Sequence, residues 1–394
     1  MNDIDSVGVR PAPRVLACCR GMVIYGGLER MCLAAMGAIV ERGGVGHCVF
    51  TPMTEPTVIQ AARRIGATWS IAPARRAMRR GLAGAMTNLI DAIRNSARLL
   101  ADAIRFRPTH VFVPEFGLVL DQWFALLLLR ALRRRIILAL QNAPASTPFY
   151  ARLWRWIVDP AVETYVCASD SSRRTLTSVG IPDHKIRVVY NTAASLPDTE
   201  TLEVPRALNR VIYVGQIIPA KGLDLLLEAI GLLVARGRDV SLDVVGQHQG
   251  WIAPAYEGFR LRLFDRVAQA DLAGRVRFLG FRDDVPRLMA SAAVHCIPSR
   301  PEMYEGLPIV VLEAKHAGIP SIAFAHGPFP ELIEHTKTGW LCRRQDAESL
   351  AEGLDYYLTA PELLVRAERP IRASASRFDR EQFKQGWTSA FAIS

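Results

Sequence analysis

Residues 305–313 read Glu-Gly-Leu-Pro-Ile-Val-Val-Leu-Glu, and the stretch around them, from Pro298 to Gly339, decides the fold. Just upstream, Ala293-Val294-His295-Cys296-Ile297 is a short apolar run of the kind a buried strand requires. Downstream, the apolar spacing from Leu307 to Ala317 predicts a helix that stops at Gly318, with Pro320 behind it. Glu305 is thus expected at the mouth of a strand-to-helix turn. Glu313 is expected about 12 Å further along the same helical face, two turns on. It follows a Val-Val-Leu run and looks inward, where an unpaired carboxylate is costly. Two carboxylates so spaced can grip separated hydroxyls of one extended ligand while the free N–H groups of the first turn face its phosphates. A nucleotide sugar has that shape.

Outward from this stretch, composition sets the bounds. The chain has 394 residues, which suggests two domains, and half are hydrophobic, enough for substantial cores. Its net charge of +10 is uneven: residues 1–195 carry 25 Lys or Arg against 13 Asp or Glu (+12), and residues 196–394 carry 23 against 25 (−2). The first half is therefore expected to face something anionic. Seven cysteines without a C-x-x-C pair argue against a disulfide framework or a zinc site and for a reducing compartment. No cluster of His and carboxylates has metal spacing, so a metal-free reaction is expected. Met1 to Val9 is polar and acidic and does not read as a signal peptide; no apolar stretch approaches the ~20 residues of a bilayer span. The protein is expected in the cytosol.

Strand-like and helix-like segments alternate through the first half. Strands are predicted at Arg14–Cys19, His47–Thr51, Thr68–Ala72, His110–Pro114, Ile136–Gln141, Tyr165–Ala168 and Ile186–Val189, the pattern of a parallel, doubly wound sheet. Gly26-Gly27 opens a helix from Leu28 to about Arg42, where glycines either serve the tight turn or let backbone amides approach a diphosphate. Arg75, Arg76, Arg79 and Arg80 precede a long amphipathic helix from Leu82 to Phe106. They form either a solvated face or a contact with anionic lipid headgroups; we favour the second, peripheral at the inner face of the plasma membrane. Asn142, in Gln141-Asn142-Ala143-Pro144, ends a strand that points into the ligand crevice, and is either a turn residue or a sugar or acceptor contact.

In the second half, Arg210–Gly215 reads as a strand leading into Gln216-Ile217-Ile218-Pro219-Ala220-Lys221-Gly222, and further strands are predicted at Ser241–Gly246 and Val276–Gly280. Asp283-Asp284 is expected to cap the next helix. Helices at Asp346–Leu358 and Arg380–Phe391 close the chain.

The ordered series Pro298-Ser299, Glu305-x7-Glu313, Glu313-Ala314, Ala317-Gly318-Ile319-Pro320, Gly327, Glu331-Leu332-Ile333 and Thr338-Gly339 resembles the C-terminal signature of family 4 glycosyltransferases, retaining enzymes of the GT-B fold. Gly26-Gly27-Leu28-Glu29-Arg30 and the Lys221-Gly222 element are similar to two further motifs of that family. The resemblance implies an α/β protein of two Rossmann-like doubly wound domains facing across a cleft. Their expected bounds are 1–192 (acceptor side), a linker at 193–208, 209–378 (nucleotide sugar) and a helix at 379–394 crossing back to the first domain. It implies a metal-independent hexosyltransferase without a cofactor that moves a sugar from a UDP-, GDP- or other nucleoside-diphosphate sugar to a lipid-linked or polysaccharide acceptor. Glu313 would bind the ribose. Glu305, with the backbone of Gly306 and Leu307, would bind the sugar, and Lys221, with the Gly26 and Gly27 amides, the diphosphate. Glu305 and Lys221 would be the catalytic pair, and Phe281 and Arg282 would either border the base or be a hydrophobic anchor with a surface arginine.

The chain departs from the family pattern at Gln216, where arginine is usual, and near Asn142, where histidine is common. Gln216 offers neutral hydrogen bonds and no guanidinium fork, so Arg300 and Arg20 are considered as substitutes. These departures keep open a catalytically weak homologue that binds nucleotide sugar or docks at a membrane. A nicotinamide-dependent oxidoreductase shares the alternation but needs a G-x-G-x-x-G fingerprint, which Gly26-Gly27 lacks.

Overall fold

The computed structural model describes residues 12–22, 26–72, 81–142, 147–193, 204–247 and 254–391. Contacts gather the chain into two compact units. The first takes in residues up to Cys167, Arg173–Val189 and Phe383 onward; the second takes in Ala168–Ser172 and Tyr190–Gln382.

The first unit alternates β1 (Arg14–Ala17), α1 (Gly27–Glu41), β2 (Val45–Phe50), α2 (Pro56–Arg64), β3 (Thr68–Ile71), α3 (Leu82–Phe106), β4 (His110–Val113), α4 (Phe116–Asp121), α5 (Trp123–Ala131), β5 (Arg135–Leu140), α6 (Pro148–Leu153), β6 (Thr164–Cys167), α7 (Asp170–Ser178) and β7 (Ile186–Val188). The strands form one parallel sheet in the order β3-β2-β1-β4-β5-β6-β7. Central strands such as β4 and β5 are apolar and buried almost throughout, as a sheet covered on both faces requires. Right-handed crossovers put α1 and α2 on one face and α3 to α6 on the other. On that second face Leu99 and Ala103 of α3, Leu126 and Leu129 of α5, and Trp154 share one core with β4 and β5.

The second unit runs β8 (Ala207–Val214), α8 (Leu223–Ala235), β9 (Ser241–Val245), α9 (Pro254–Val267), β10 (Val276–Gly280), α10 (Val285–Ser291), β11 (Ala292–Ile297), α11 (Ile309–Ala317), β12 (Ser321–Phe324), α12 (Phe329–Leu332), β13 (Gly339–Cys342), α13 (Ala347–Leu358) and α14 (Pro361–Ala375). Its six strands are parallel in the order β10-β9-β8-β11-β12-β13. The last helix, α15 (Arg380–Ala390), brings Trp387 and Phe391 against Phe112 of β4, with ring centroids 5.5 and 5.9 Å away.

Three local features of the fold differ from what the sequence predicts. The first strand stops at Ala17, because the backbone folds back with the Cys19 N–H on the Ala17 carbonyl at 3.0 Å. Helix α11 starts at Ile309, two residues late, since proline at 308 disfavours helical backbone at Leu307. Glu305 therefore precedes the helix, and the two-turn axial rise from Glu305 to Glu313 does not apply. Asp284 does stand at the N-cap position of α10, but Arg282 holds both its carboxylate oxygens at 2.7 Å and no side-chain cap forms. The arginines at 75, 76, 79 and 80 lie outside the described residues.

Candidate functional site

In the second sheet the strand order reverses between β8 and β11, and in open parallel sheets ligands bind beyond the strand ends at such a point. The loops leaving those two strands carry the residues singled out in the sequence. After β8 the chain passes Gly215 and Gln216 to a 3₁₀ turn, Pro219–Lys221, and enters α8 through Gly222. After β11 it passes Pro298 and Ser299 to a second 3₁₀ turn, Pro301–Met303, and then to Glu305.

Glycines let these loops close on each other. Gly222 has φ +69° and ψ +21°, and a Cβ there would lie 2.0 Å from the Pro298 carbonyl oxygen. A Cβ on Gly246, after β9, would lie 2.1 Å from the Gly215 carbonyl oxygen. Only glycine permits both approaches. Backbone hydrogen bonds then fix the seam: the Arg300 N–H donates to the Ala220 carbonyl at 2.8 Å, and the Arg300 guanidinium to that of Pro219.

Within this frame Lys221 and Glu305 meet. The Lys221 ammonium donates to Glu305 Oε1 at 2.5 Å, and the hydroxyl of fully buried Ser299 donates to the same oxygen at 2.8 Å. Glu305 is only 8% exposed, so the ion pair and hydroxyl supply what water would. Ser299 is held in turn by its carbonyl, which lies 2.7 Å from His326 Nε2 after β12. Gly306 and Leu307 are buried next to Glu305, and the Leu307 carbonyl accepts from Asn191 Nδ2 at 3.1 Å. Glu313 is buried one turn into α11, between Leu312 and Ala314 of the core.

Two residues further, Lys315 is also buried, its ammonium 2.6 Å from the Ser374 hydroxyl. Loss of water pulls its pKa down to about 8, and Arg377 pushes the same way. Sequence reading attached no role to Ser299, His326 or Lys315. The first stood inside a quoted motif, but nothing in the residue order marks a histidine at 326 or a buried lysine at 315.

Gln216 is exposed, and its carbonyl accepts from the Tyr213 hydroxyl at 2.7 Å. Both arginines considered as substitutes are ion-paired. Arg300 is bidentate to Asp224 at 2.7 and 3.0 Å, and Arg20, in the first unit, is buried against Asp102 at 3.2 Å. Phe281 is highly exposed beyond β10, and Arg282 is the partner of Asp284. In the first unit, the Gly26 N–H donates to Glu29 Oε2 at 3.1 Å, so a carboxylate already sits at the N-terminus of α1, which begins at Gly27. Burial raises the pKa of Glu29, and the charges of Glu115 and Glu55 add to this. Asn142 follows β5 and is exposed. Among the described residues no group of three or more His, Cys, Asp or Glu is arranged to hold a metal ion, and no helix is long and apolar enough to cross a membrane.

Two Rossmann-like parallel-sheet domains of this topology make the GT-B fold. The chain is similar in structure to HepE of Anabaena, solved with UDP and glucose, at a TM-score of 0.76 and 17% identity over 97% of this chain and 100% of that one. Residues 199–373 match the family of glycosyl transferases group 1. In sequence the chain is similar to an uncharacterised glycosyltransferase of Haemophilus influenzae, 27% identical over 55% of this chain and 58% of the relative. It is also similar to the amylovoran biosynthesis glycosyltransferase AmsK of Erwinia amylovora, 29% identical over 45% and 42%. The chain spans about half the length of these curated relatives.

Proposed function

We propose that the protein is a retaining glycosyltransferase that moves a hexose from a nucleoside-diphosphate sugar to a hydroxyl of a lipid-linked or polysaccharide acceptor in exopolysaccharide or cell-envelope glycan assembly. The observation that carries this reading is the group of half-buried Lys221 with buried Glu305 and Ser299 beside the switch of strand order, with Glu313 one turn into the helix that follows. The match of residues 199–373 to glycosyl transferases group 1, and the resemblance to AmsK, support it.

In this reading the donor diphosphate lies at Lys221 and shares the ammonium with Glu305. Glu313 takes the ribose hydroxyls, and Glu305 with the backbone of Gly306 and Leu307 takes the sugar. The acceptor hydroxyl attacks the anomeric carbon on the face the diphosphate leaves. The bond from that carbon to the β-phosphate oxygen breaks, and the hydroxyl proton passes to the departing diphosphate. Negative charge grows on that group in the transition state, so a fixed ammonium there lowers the barrier.

A second reading has its own observation. Gln216 stands where a guanidinium is usual, and Arg300 is committed to Asp224, which fits a homologue that binds nucleotide sugar with little turnover. The test is release of nucleoside diphosphate from UDP-, GDP-, ADP- and dTDP-sugars with and without EDTA, in the presence of a membrane extract as acceptor source. Release from one donor, unaffected by EDTA, supports the transferase. Binding of a donor without release supports the second reading, and binding of none refutes both.

A further inference from the structure

Strand β12 ends in a turn that reaches back to Glu305. There the His326 N–H donates to the Phe324 carbonyl at 2.8 Å, and the Phe329 N–H donates to the His326 carbonyl at 3.2 Å. The half-buried His326 ring stands edge-on to Phe329, with centroids 5.4 Å apart and planes at 86°. Phe329 is fully buried in a core that it shares with Ile297 of β11 and with Leu307. The imidazole is thus fixed at backbone and ring, and its Nε2 lies 2.7 Å from the Ser299 carbonyl oxygen. A carbonyl can only accept, so Nε2 carries a proton and donates.

Ser299 is held just as closely. It is fully buried, the N–H of the next residue is tied to the Ala220 carbonyl at 2.8 Å, and its hydroxyl donates to Glu305 Oε1 at 2.8 Å. A line of support therefore runs from β12 to the carboxylate: imidazole to Ser299 carbonyl, then Ser299 hydroxyl to Glu305. Lys221 reaches the same Oε1 from the loop after β8 and is no part of that line.

This independence matters once the site is loaded. In the donor reading, on which this inference rests, an incoming diphosphate shares the Lys221 ammonium, and Glu305 gives up part of its counter-charge. A carboxylate only 8% exposed cannot turn to water for compensation. Of the two donors on Oε1, the ammonium is the one that a phosphate charge draws away. The hydroxyl stays if its own backbone stays.

We propose that His326 is a positioning residue for Glu305. By holding the Ser299 carbonyl it keeps the Ser299 hydroxyl on Oε1 while Lys221 turns to the diphosphate, so the carboxylate remains aimed at the sugar. It acts through Ser299 and need touch no donor atom.

The test separates diphosphate from sugar. UDP, GDP, ADP and dTDP, then UDP-glucose, GDP-mannose, ADP-glucose and dTDP-glucose, are titrated calorimetrically into the native chain, His326→Asn, His326→Gln and Ser299→Ala, each shown folded by thermal melting. Release of nucleoside diphosphate is followed on the same samples with a membrane extract as acceptor source. Glutamine can place an N–H where Nε2 stands, and asparagine is too short to do so. His326→Asn is expected to bind the bare nucleoside diphosphate much as the native chain does, while its affinity for the nucleotide sugar and its release rate fall about ten- to a hundredfold. His326→Gln should recover most of that loss, and His326→Asn/Ser299→Ala should fall no further than Ser299→Ala, because the two residues act in one line. Where the native chain binds without release, affinity for the nucleotide sugar decides alone. Native-like binding and release in His326→Asn overturn the proposal. So do equal losses for diphosphate and nucleotide sugar, or losses that add in the double variant. A native chain that binds none of these nucleotides overturns the donor reading itself, and this inference with it.

Discussion

Replacing Gly222 by alanine should disable the site without touching a ligand-binding side chain. The new methyl carbon would begin 2.0 Å from the Pro298 carbonyl oxygen, well inside the contact distance of carbon and oxygen, and its neighbour is backbone, which cannot rotate away. The left-handed backbone at φ +69° adds about 1–2 kcal/mol for any residue with a Cβ. Relief of the overlap requires the two loops to part by roughly 1 Å, and overpacking of this kind costs about 1–3 kcal/mol. Together the second unit should lose about 2–5 kcal/mol. Parting the loops also pulls Lys221 from Glu305 and Ser299, and a misplacement near 1 Å costs on the order of a hundredfold in rate where groups must be held in position. Urea unfolding followed by tryptophan fluorescence measures the first effect, and nucleoside diphosphate release at saturating donor the second. A variant as stable and as active as the native protein would refute the close approach on which the site is built.

Three further outcomes are expected. Lys221→Met leaves the buried Glu305 carboxylate with only the Ser299 hydroxyl and should destabilise the second unit by about 3 kcal/mol, whereas Lys221→Met/Glu305→Gln should recover most of that loss in urea titrations. His295 is fully buried in β11 with Nδ1 3.0 Å from the Ser321 hydroxyl, and burial lowers its pKa to about 3. Between pH 3 and 6.5 the unfolded chain therefore binds the extra proton, so stability falls as pH drops below 6.5, by roughly 2 kcal/mol at pH 5; His295→Asn should flatten that part of the profile. For Lys315, with its pKa lowered to about 8, the unfolded state holds more protons between that value and 10.5, so stability should rise with pH across the window, and the rise should be absent in Lys315→Met.

The fold was readable because parallel strands buried on both faces leave continuous apolar runs, as at Ile136–Leu140 and Ala292–Ile297, and because glycine and proline mark the helix ends around α11. The candidacy of Lys221 and Glu305 was readable from the resemblance of their motifs to the family. Their contact was not, since 84 positions separate them and only the strand order brings the loops together. Pairings of arginine were likewise hidden. Arg300, Arg20 and Arg282 each looked available as a side chain, yet each is held by a carboxylate whose partner choice depends on packing. Helix α3 is written in the sequence as an amphipathic period, but a period does not say which face meets the sheet: Ile90 and Ile93 are exposed, and Asp91 and Asn95 are buried.

In the proposed function the second unit holds a nucleoside-diphosphate sugar between Lys221 and Glu313. The most direct test is calorimetric titration of native protein, Glu313→Ala and Lys221→Met with UDP, GDP, ADP and dTDP in turn, thermal melting having first shown each variant folded. One saturable site for one of these nucleotides is expected in the native chain, weakened about ten- to a hundredfold in each variant, the range for loss of a charge-assisted hydrogen bond. Both variants binding as tightly as the native chain would contradict it.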